Sequence, residues 1–213
     1  MGTLGDKLEE IAFAGSTLGP LFLEDPQKGN ASELMATLAH LDAEAAAPEW
    51  PFAKEGAARE GLALMVGGLA EGPRADELTW EYRRLFVGPL PKAAPPWGSV
   101  YTDRDCVVFG ASCLDLRLWM RRNGIERQGA TDTPEDHIGL LLGLLAWLAQ
   151  NKPELLEECL RLHVLPWSHH FLELMGREAR HPFYRGLALL CDATLEGMRE
   201  CAGITVAYPH FFR

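Results

Sequence analysis

The chain is predicted to be all-α. Helix start signals and helix-spaced apolar residues recur from end to end, and no segment sustains the alternation of a strand. The one long stretch without helical pattern is a proline-rich loop near the middle. With 213 residues and no linker, repeat or low-complexity tract, the expectation is a single compact globular domain, 1–213, with a substantial core.

The elements follow in order. Asp6 is read as the cap of a first helix carrying Leu8, Ile11, Ala12 and Leu18, which Gly19-Pro20 ends. Asn30-Ala31-Ser32-Glu33 fits a capping box, with Leu34, Leu38 and Leu41 on one face. Pro48 and Pro51 mark a break. A glycine-rich helix runs from about Phe52 to Leu69, and Asp76 caps another through Phe86 that clusters Leu78, Tyr82, Leu85 and Phe86. Ser112-Cys113-Leu114-Asp115 opens a helix ending at Asn123-Gly124, with Arg121 and Arg122 in the last turn, where cations suit the helix dipole.

Thr133-Pro134-Glu135-Asp136 is the clearest start signal. Thr133 is the expected cap, Pro134 the first helical residue, and two acids follow. The helix it opens, to about Gln150, is apolar nearly all round, the pattern of a central, buried helix. Asn151-Lys152-Pro153-Glu154 restarts a helix that Pro166 ends. Ser168 caps the next, to about Arg180, and Pro182 opens the last, with Phe183, Leu187, Leu190, Leu195 and Met198 toward the core. Val206 to Phe212 reads as extended. The pattern resolves eight or nine helices.

Val87 to Gly110 has no good helix, and Pro89, Pro91, Pro95 and Pro96 fall within eight residues. A loop this long in a compact domain is usually functional or disordered. Trp97, Val100, Tyr101, Val107, Val108 and Phe109 are costly to leave in water, so the loop is expected to be ordered and packed across the helices.

Composition narrows the function. Thirty acids against 20 bases give a net charge of −10, which disfavours nucleic acid and suits a basic partner, or simply keeps the protein in solution. Five cysteines without C-x-x-C spacing suggest buried thiols in a reducing compartment. The first ten residues carry no signal-peptide pattern, and the longest apolar stretch, Ile138 to Ala149, is too short to span a bilayer. The expectation is a cytoplasmic protein that is not an integral membrane protein. No phosphate loop, dinucleotide fingerprint, nucleophile elbow or zinc-protease motif is present.

Some constellations remain. Asp136-His137 pairs a carboxylate with an imidazole, but adjacent helical residues do not face each other, and an acid in a first turn also serves the helix dipole. His169-His170 diverge on a helix and are read as surface histidines, not metal ligands. His163 and His181 are given structural roles near helix ends. Tyr82, Leu85, Phe86, Trp97 and Tyr101 gather around the proline-rich loop, either as core or as a groove for an apolar peptide.

Several of these segments resemble, in fixed order, the TorD/DmsD family. They are Tyr82-Arg83-Arg84-Leu85-Phe86-Val87-Gly88-Pro89, Ala94-Pro95-Pro96-Trp97-Gly98-Ser99-Val100-Tyr101, Phe109-Gly110, and Leu116 to Met120. Thr133 to Gly139 follows, then Leu165-Pro166-Trp167 and His181 to Tyr184. The resemblance is strong from Tyr82 to Tyr184 and weaker before Trp80, and the proline-tryptophan wording is most similar to the DmsD branch.

The resemblance implies an all-α fold of about ten or more helices. It implies no catalysis, cofactor or metal. The function it implies is a chaperone that holds the twin-arginine signal peptide of a molybdopterin-containing reductase and delays export until the cofactor is loaded. The client would be the dimethyl sulfoxide reductase catalytic subunit, or else a trimethylamine oxide or nitrate reductase; the export machinery would be a further partner. The implied peptide-binding residues are Tyr82, Leu85, Phe86, Pro96, Trp97, Gly110, Asp136 and His137. Two guanidinium groups favour carboxylates, so Asp136 with other surface acids is assigned to the arginines, and Leu85, Phe86 and Trp97 to the apolar stretch. The alternative from another class is a small helical hydrolase using Asp136 and His137.

Overall fold

The computed structural model describes residues 3–72, 75–88, 91–127 and 133–213. These hold eleven α-helices: α1 Leu8–Leu23, α2 Gly29–Leu38, α3 Ala43–Ala46, α4 Glu55–Gly68, α5 Asp76–Tyr82, α6 Ser99–Thr102, α7 Ala111–Arg122, α8 Ile138–Asn151, α9 Leu156–Cys159, α10 Leu165–Glu178 and α11 Pro182–Ala202. Short 3-10 and π turns join several of them, and the one β-type contact among the described residues is an isolated antiparallel bridge between Trp97 and His137. The all-α expectation holds. Pro89 of the family-like segment lies outside the described residues.

One continuous cluster of buried side chains fills the interior. Its main contacts are α1 on α8, α4 on α11 and α10 on α11. Glycines set the first two crossings. A Cβ at Gly15 would stand 2.3 Å from the Leu142 carbonyl oxygen, and one at Gly139 would stand 2.6 Å from the Gly19 carbonyl oxygen. Backbones this close bury Ile11, Leu18, Leu141, Leu142 and Leu145 completely or nearly so.

Packing overrides local stop signals in three places. Gly19-Pro20 does not end α1, which continues to Leu23. Pro20 lacks the N–H that would meet the Ser16 carbonyl, at a cost of about 3 kcal/mol in a helix interior. Burial of Leu21 and Phe22 in the next turn, each worth about 1.5–3 kcal/mol, offsets it. Pro166 likewise does not terminate a helix. The chain passes from α9 through a π turn, Leu160–Val164, directly into α10, where Pro166 sits in the first turn and needs no N–H partner. Ser168 is therefore a buried interior residue of α10 and not its cap. Asp76 is the first residue of α5 rather than its cap, and that helix reaches Val87 only by a π turn over Arg83–Val87.

The N-terminal caps also shift. Thr3 precedes the first turn and Asp6 reaches back to its N–H at 2.8 Å, the reverse of the expected roles. No capping box forms at Asn30: α2 starts at Gly29, whose φ of +53° glycine tolerates, and Glu24 accepts from the Ala31 N–H instead. The helix expected to start at Pro134 begins four residues later, at Ile138, because the intervening residues bind the central loop.

Among its described residues, that loop packs as expected at Ala94, Val100 and Tyr101, which are buried. Its far end departs from expectation: Val107, Val108 and Phe109 are exposed at 47%, 38% and 47%. Cys106 and Phe109 have positive φ, a strained conformation for residues bearing a Cβ, and the turn they make points this end outward. Residues 206–213 run extended across the same loop. The Phe212 N–H donates to the Tyr101 carbonyl at 2.9 Å, and Phe211 stacks on His170 at 4.2 Å. Phe211→Ala is expected to speed amide exchange at Phe212 by about tenfold, the loss of roughly 1.4 kcal/mol of local anchoring; unchanged exchange would show that the stack holds nothing.

Candidate functional site: the docked loop at the head of helix α8

The N-terminus of α8 leaves N–H groups unpaired by the helix, and the proline-rich loop supplies partners for them. The Ile138 N–H donates to the Pro96 carbonyl at 2.8 Å, and the Gly98 N–H donates to the Asp136 carbonyl at 3.2 Å. Between these bonds, Trp97 and His137 face each other with ring centroids 5.5 Å apart, edge to face. His137 is the N-cap: its Nδ1 accepts from the Gly139 N–H at 3.1 Å. Acceptance requires a neutral ring, and burial pushes the imidazole down to about 3.

Asp136 is not a helical residue, contrary to the sequence expectation. It precedes the cap, is 3% exposed, and its Oδ2 accepts from the Ser99 N–H at 2.7 Å. That bond fixes the first turn of α6. Its Oδ1 is buried without a hydrogen-bond partner. Burial raises the carboxyl pKa, against the lowering effect of Ser99. Gly110 lies on the same cluster: a Cβ there would meet Asp103 and come within 3.1 Å of the Ser99 Cβ. Gly98 has the Trp167 indole against it, where a Cβ would come within 2.7 Å of Nε1. Pro96, Trp97, Gly110, Asp136 and His137 thus form one assembly.

Tyr82, Leu85 and Phe86 do not join that assembly. Leu85 and Phe86, assigned with Trp97 to the leader's apolar stretch, are 0% and 4% exposed, and Tyr82 is 6% exposed. Phe86 packs among Phe22, Tyr82 and Tyr184, and the Tyr82 hydroxyl donates to the Leu23 carbonyl at 2.9 Å. Tyr82 ends α5 and Leu85 and Phe86 lie in the π turn after it, and all three face inward and brace the end of α1 from behind.

Other groups near Asp136 were not singled out from sequence. Glu135 accepts from Arg117 Nε at 2.5 Å and lies 3.9 Å from Arg127. The Cys113 thiol, beside the two acids, is pushed up to about 12 by burial and therefore is no nucleophile near neutral pH. Glu135 and exposed Glu126 line a cleft of about 560 Å³ bordered by α1, α8, Met120 of α7 and Ile125. The only hint of the cleft in the sequence was the all-round apolar pattern of α8, which also describes a fully buried helix. His169 pairs with Asp192 at 2.9 Å and His170 with the Arg213 carbonyl at 2.6 Å, and no cluster of three metal-binding side chains occurs among the described residues.

The buried imidazole makes a pH prediction. Unfolded, His137 binds a proton near its ordinary value of 6.5; folded, only near 3. Its contribution to stability is therefore full above about pH 6.5 and falls as pH drops toward 3. His163, held down to about 4 by burial, acts in the same direction. His137→Asn keeps an acceptor for the Gly139 N–H. It is expected to flatten the acid-side fall in stability by up to about 1.4 kcal/mol per pH unit. Urea titrations between about pH 4 and 7 measure this; an unchanged slope would mean that His137 is protonated in the folded protein.

Residues 53–173 match the family model described as nitrate reductase delta subunit. The chain is 38% identical over 206 residues to a probable Tat proofreading chaperone DmsD of Haemophilus influenzae, covering 97% of this chain and 98% of that one. It is also 38% identical to the Tat proofreading chaperone DmsD of Salmonella paratyphi A, covering 96% and 97%. The chaperone protein YcdY of Escherichia coli K12 is 26% identical, covering 90% and 95%. The likeness extends through the N-terminal third, where the motifs alone were weak. No helix among the described residues is long and apolar enough to cross a membrane. The chain belongs to the TorD/DmsD family of redox-enzyme maturation chaperones, in its DmsD branch.

Proposed function

We propose that this chain is a cytoplasmic proofreading chaperone for the catalytic subunit of a dimethyl sulfoxide reductase. It binds the subunit's twin-arginine signal peptide and withholds it from the export machinery until the molybdopterin cofactor is inserted. It has no catalytic role and carries no cofactor. The observation that carries this reading is the acidic group at the foot of the docked loop. Glu126 is exposed, Glu135 is half-buried and paired with Arg117, and Asp136 is buried beside Glu135 with one carboxylate oxygen unpartnered. Two arginines of a leader are met there by charge-assisted pairs, exchanging with Arg117 and Arg127 on Glu135. Trp97, half-buried with Lys92 over its ring at 5.3 Å, borders the same place. Tyr82, Leu85, Phe86 and Gly110 contribute by holding the framework rather than by contact.

Calorimetric titration with the twin-arginine leader of the dimethyl sulfoxide reductase tests this. Micromolar or tighter binding is expected, weakened by about 10–100-fold when both arginines become alanine, as for the loss of charged hydrogen bonds. No binding, or binding indifferent to the arginines, would overturn the reading. The family model's own description favours one second client, a nitrate reductase, whose leader belongs in the same titration.

A further inference from the structure

Lys92 does not pair with an acid, although the chain carries 30 of them. Its ammonium lies over the Trp97 ring instead, 5.3 Å from the centroid, and no carboxylate partners it among the described residues. A short segment holds it there from outside. Arg213 Nη2 donates to the Lys92 carbonyl at 2.8 Å, and His170 Nε2 donates to the Arg213 main-chain oxygen at 2.6 Å. The Phe212 N–H bond to the Tyr101 carbonyl and the Phe211 stack on His170 complete the strap. Residues 211–213 thus tie Lys92 to Tyr101, on either side of Trp97 in the chain. None of residues 206–213 is buried, so the strap belongs to the part of the molecule that opens most readily.

We propose that Lys92 is an internal stand-in for a leader arginine: its ammonium occupies the cation seat on Trp97, residues 211–213 keep it there, and a twin-arginine leader binds by displacing it. The proposal rests on the signal-peptide reading above and names what that peptide must first remove. A cation is drawn to the face of an indole, and a flat guanidinium stacks there better than a compact ammonium. The guanidinium also pairs by its edge with a carboxylate while it stacks by its face. Trp97 is placed for both, since the Gly98–Asp136 main-chain bond holds it beside the acidic group. Lysine offers the seat a charge alone. Two cations on one ring repel each other, so lysine and arginine compete for it. A peptide without arginines brings no better cation and meets the seat closed. The strap raises that threshold, because the Lys92 main chain is fixed for as long as Arg213 holds its carbonyl.

Calorimetric titration of the full chain with the dimethyl sulfoxide reductase leader, joined to NMR of the lysine side chains, tests this. In the free protein the indole ring current is expected to hold the Lys92 Cε protons upfield of those of the other lysines. Saturation with the leader is expected to return them to the common position. Lys92→Met keeps the side-chain length without the charge, and is expected to bind the leader about two- to fivefold more tightly. That gain is expected to vanish for a leader whose two arginines are alanine. Lys92→Arg keeps the charge and seats the better cation, and is expected to bind about two- to fivefold more weakly. Native affinity of Lys92→Arg would mean that charge alone matters and would overturn the proposal. Phe211→Ala changes no charge, loosens the strap and is expected to raise leader affinity by about twofold. Weaker binding by Lys92→Met would make Lys92 a contact of the leader and not its competitor. A leader that binds while the Lys92 signal stays upfield would overturn the stand-in and leave the signal-peptide reading intact. Failure of the native protein to bind any leader would overturn both. The resonance is read on the native protein, so this outcome depends on no variant folding.

Discussion

Gly186→Val is expected to lower the melting temperature by about 6–12 °C, the equivalent of about 3 kcal/mol in a protein of this size. Gly186 is on α11, where a Cβ would stand 2.4 Å from the Gly61 carbonyl oxygen and 2.8 Å from the Met65 nitrogen. Both are backbone atoms of α4, so no side-chain rotation relieves the clash. Separating the helices instead would loosen Leu62, Met65, Leu187 and Leu190, all essentially inaccessible to solvent. Gly143→Ala is the matched control. It also replaces a helical glycine but meets nothing within 4 Å, and is expected to add about 0.5–1 kcal/mol of stability. Differential scanning calorimetry of the two variants separates close packing from helix propensity. Native melting of Gly186→Val would show that α4 and α11 are farther apart than these distances.

Asp136→Ala is expected to undock the central loop and to weaken leader binding by at least about tenfold. The buried Ser99 N–H loses its acceptor, which costs about 1–3 kcal/mol, and the neighbouring pairing of Pro96 and Gly98 with the α8 head weakens with it. Amide exchange at Gly98 and Ser99 should accelerate by about 10–100-fold. Asp136→Asn separates the two roles of this residue. The amide oxygen still accepts from Ser99, and removing a carboxylate whose ionisation burial disfavours leaves the fold at near-native stability. If the charge meets a leader arginine, Asp136→Asn loses affinity with slow, native-like exchange in the loop. If Asp136→Asn binds the leader as the native protein does, Asp136 acts only by positioning the loop.

The sequence by itself determined the all-α class, the course of most helices and the family. Helix-spaced apolar residues and cap residues are local signals, and family-like motifs are read in one dimension. It also gathered Pro96, Trp97, Asp136 and His137 into one candidate set, and the fold brings these four together. Local rules failed where long-range contacts outweighed them. Thr133-Pro134-Glu135-Asp136 has every mark of a helix start, but Asp136 bonds to Ser99, 37 residues away, and the helix waits until Ile138. Pro20 and Pro166 are breakers by propensity, yet burial on either side keeps the chain helical. The tertiary structure alone decided which apolar residues face inward. A π turn shifts helical register by a residue without a marker in composition, and two of them direct the faces of Leu85, Phe86 and Leu160 into the core. Only packing could show that the nearly uniform apolar surface of α8 is covered on most faces and left open along Leu140, Gly143, Leu144 and Trp147. Whether an apolar face is core or cleft depends on what lies opposite it, and no periodicity within a single helix encodes that.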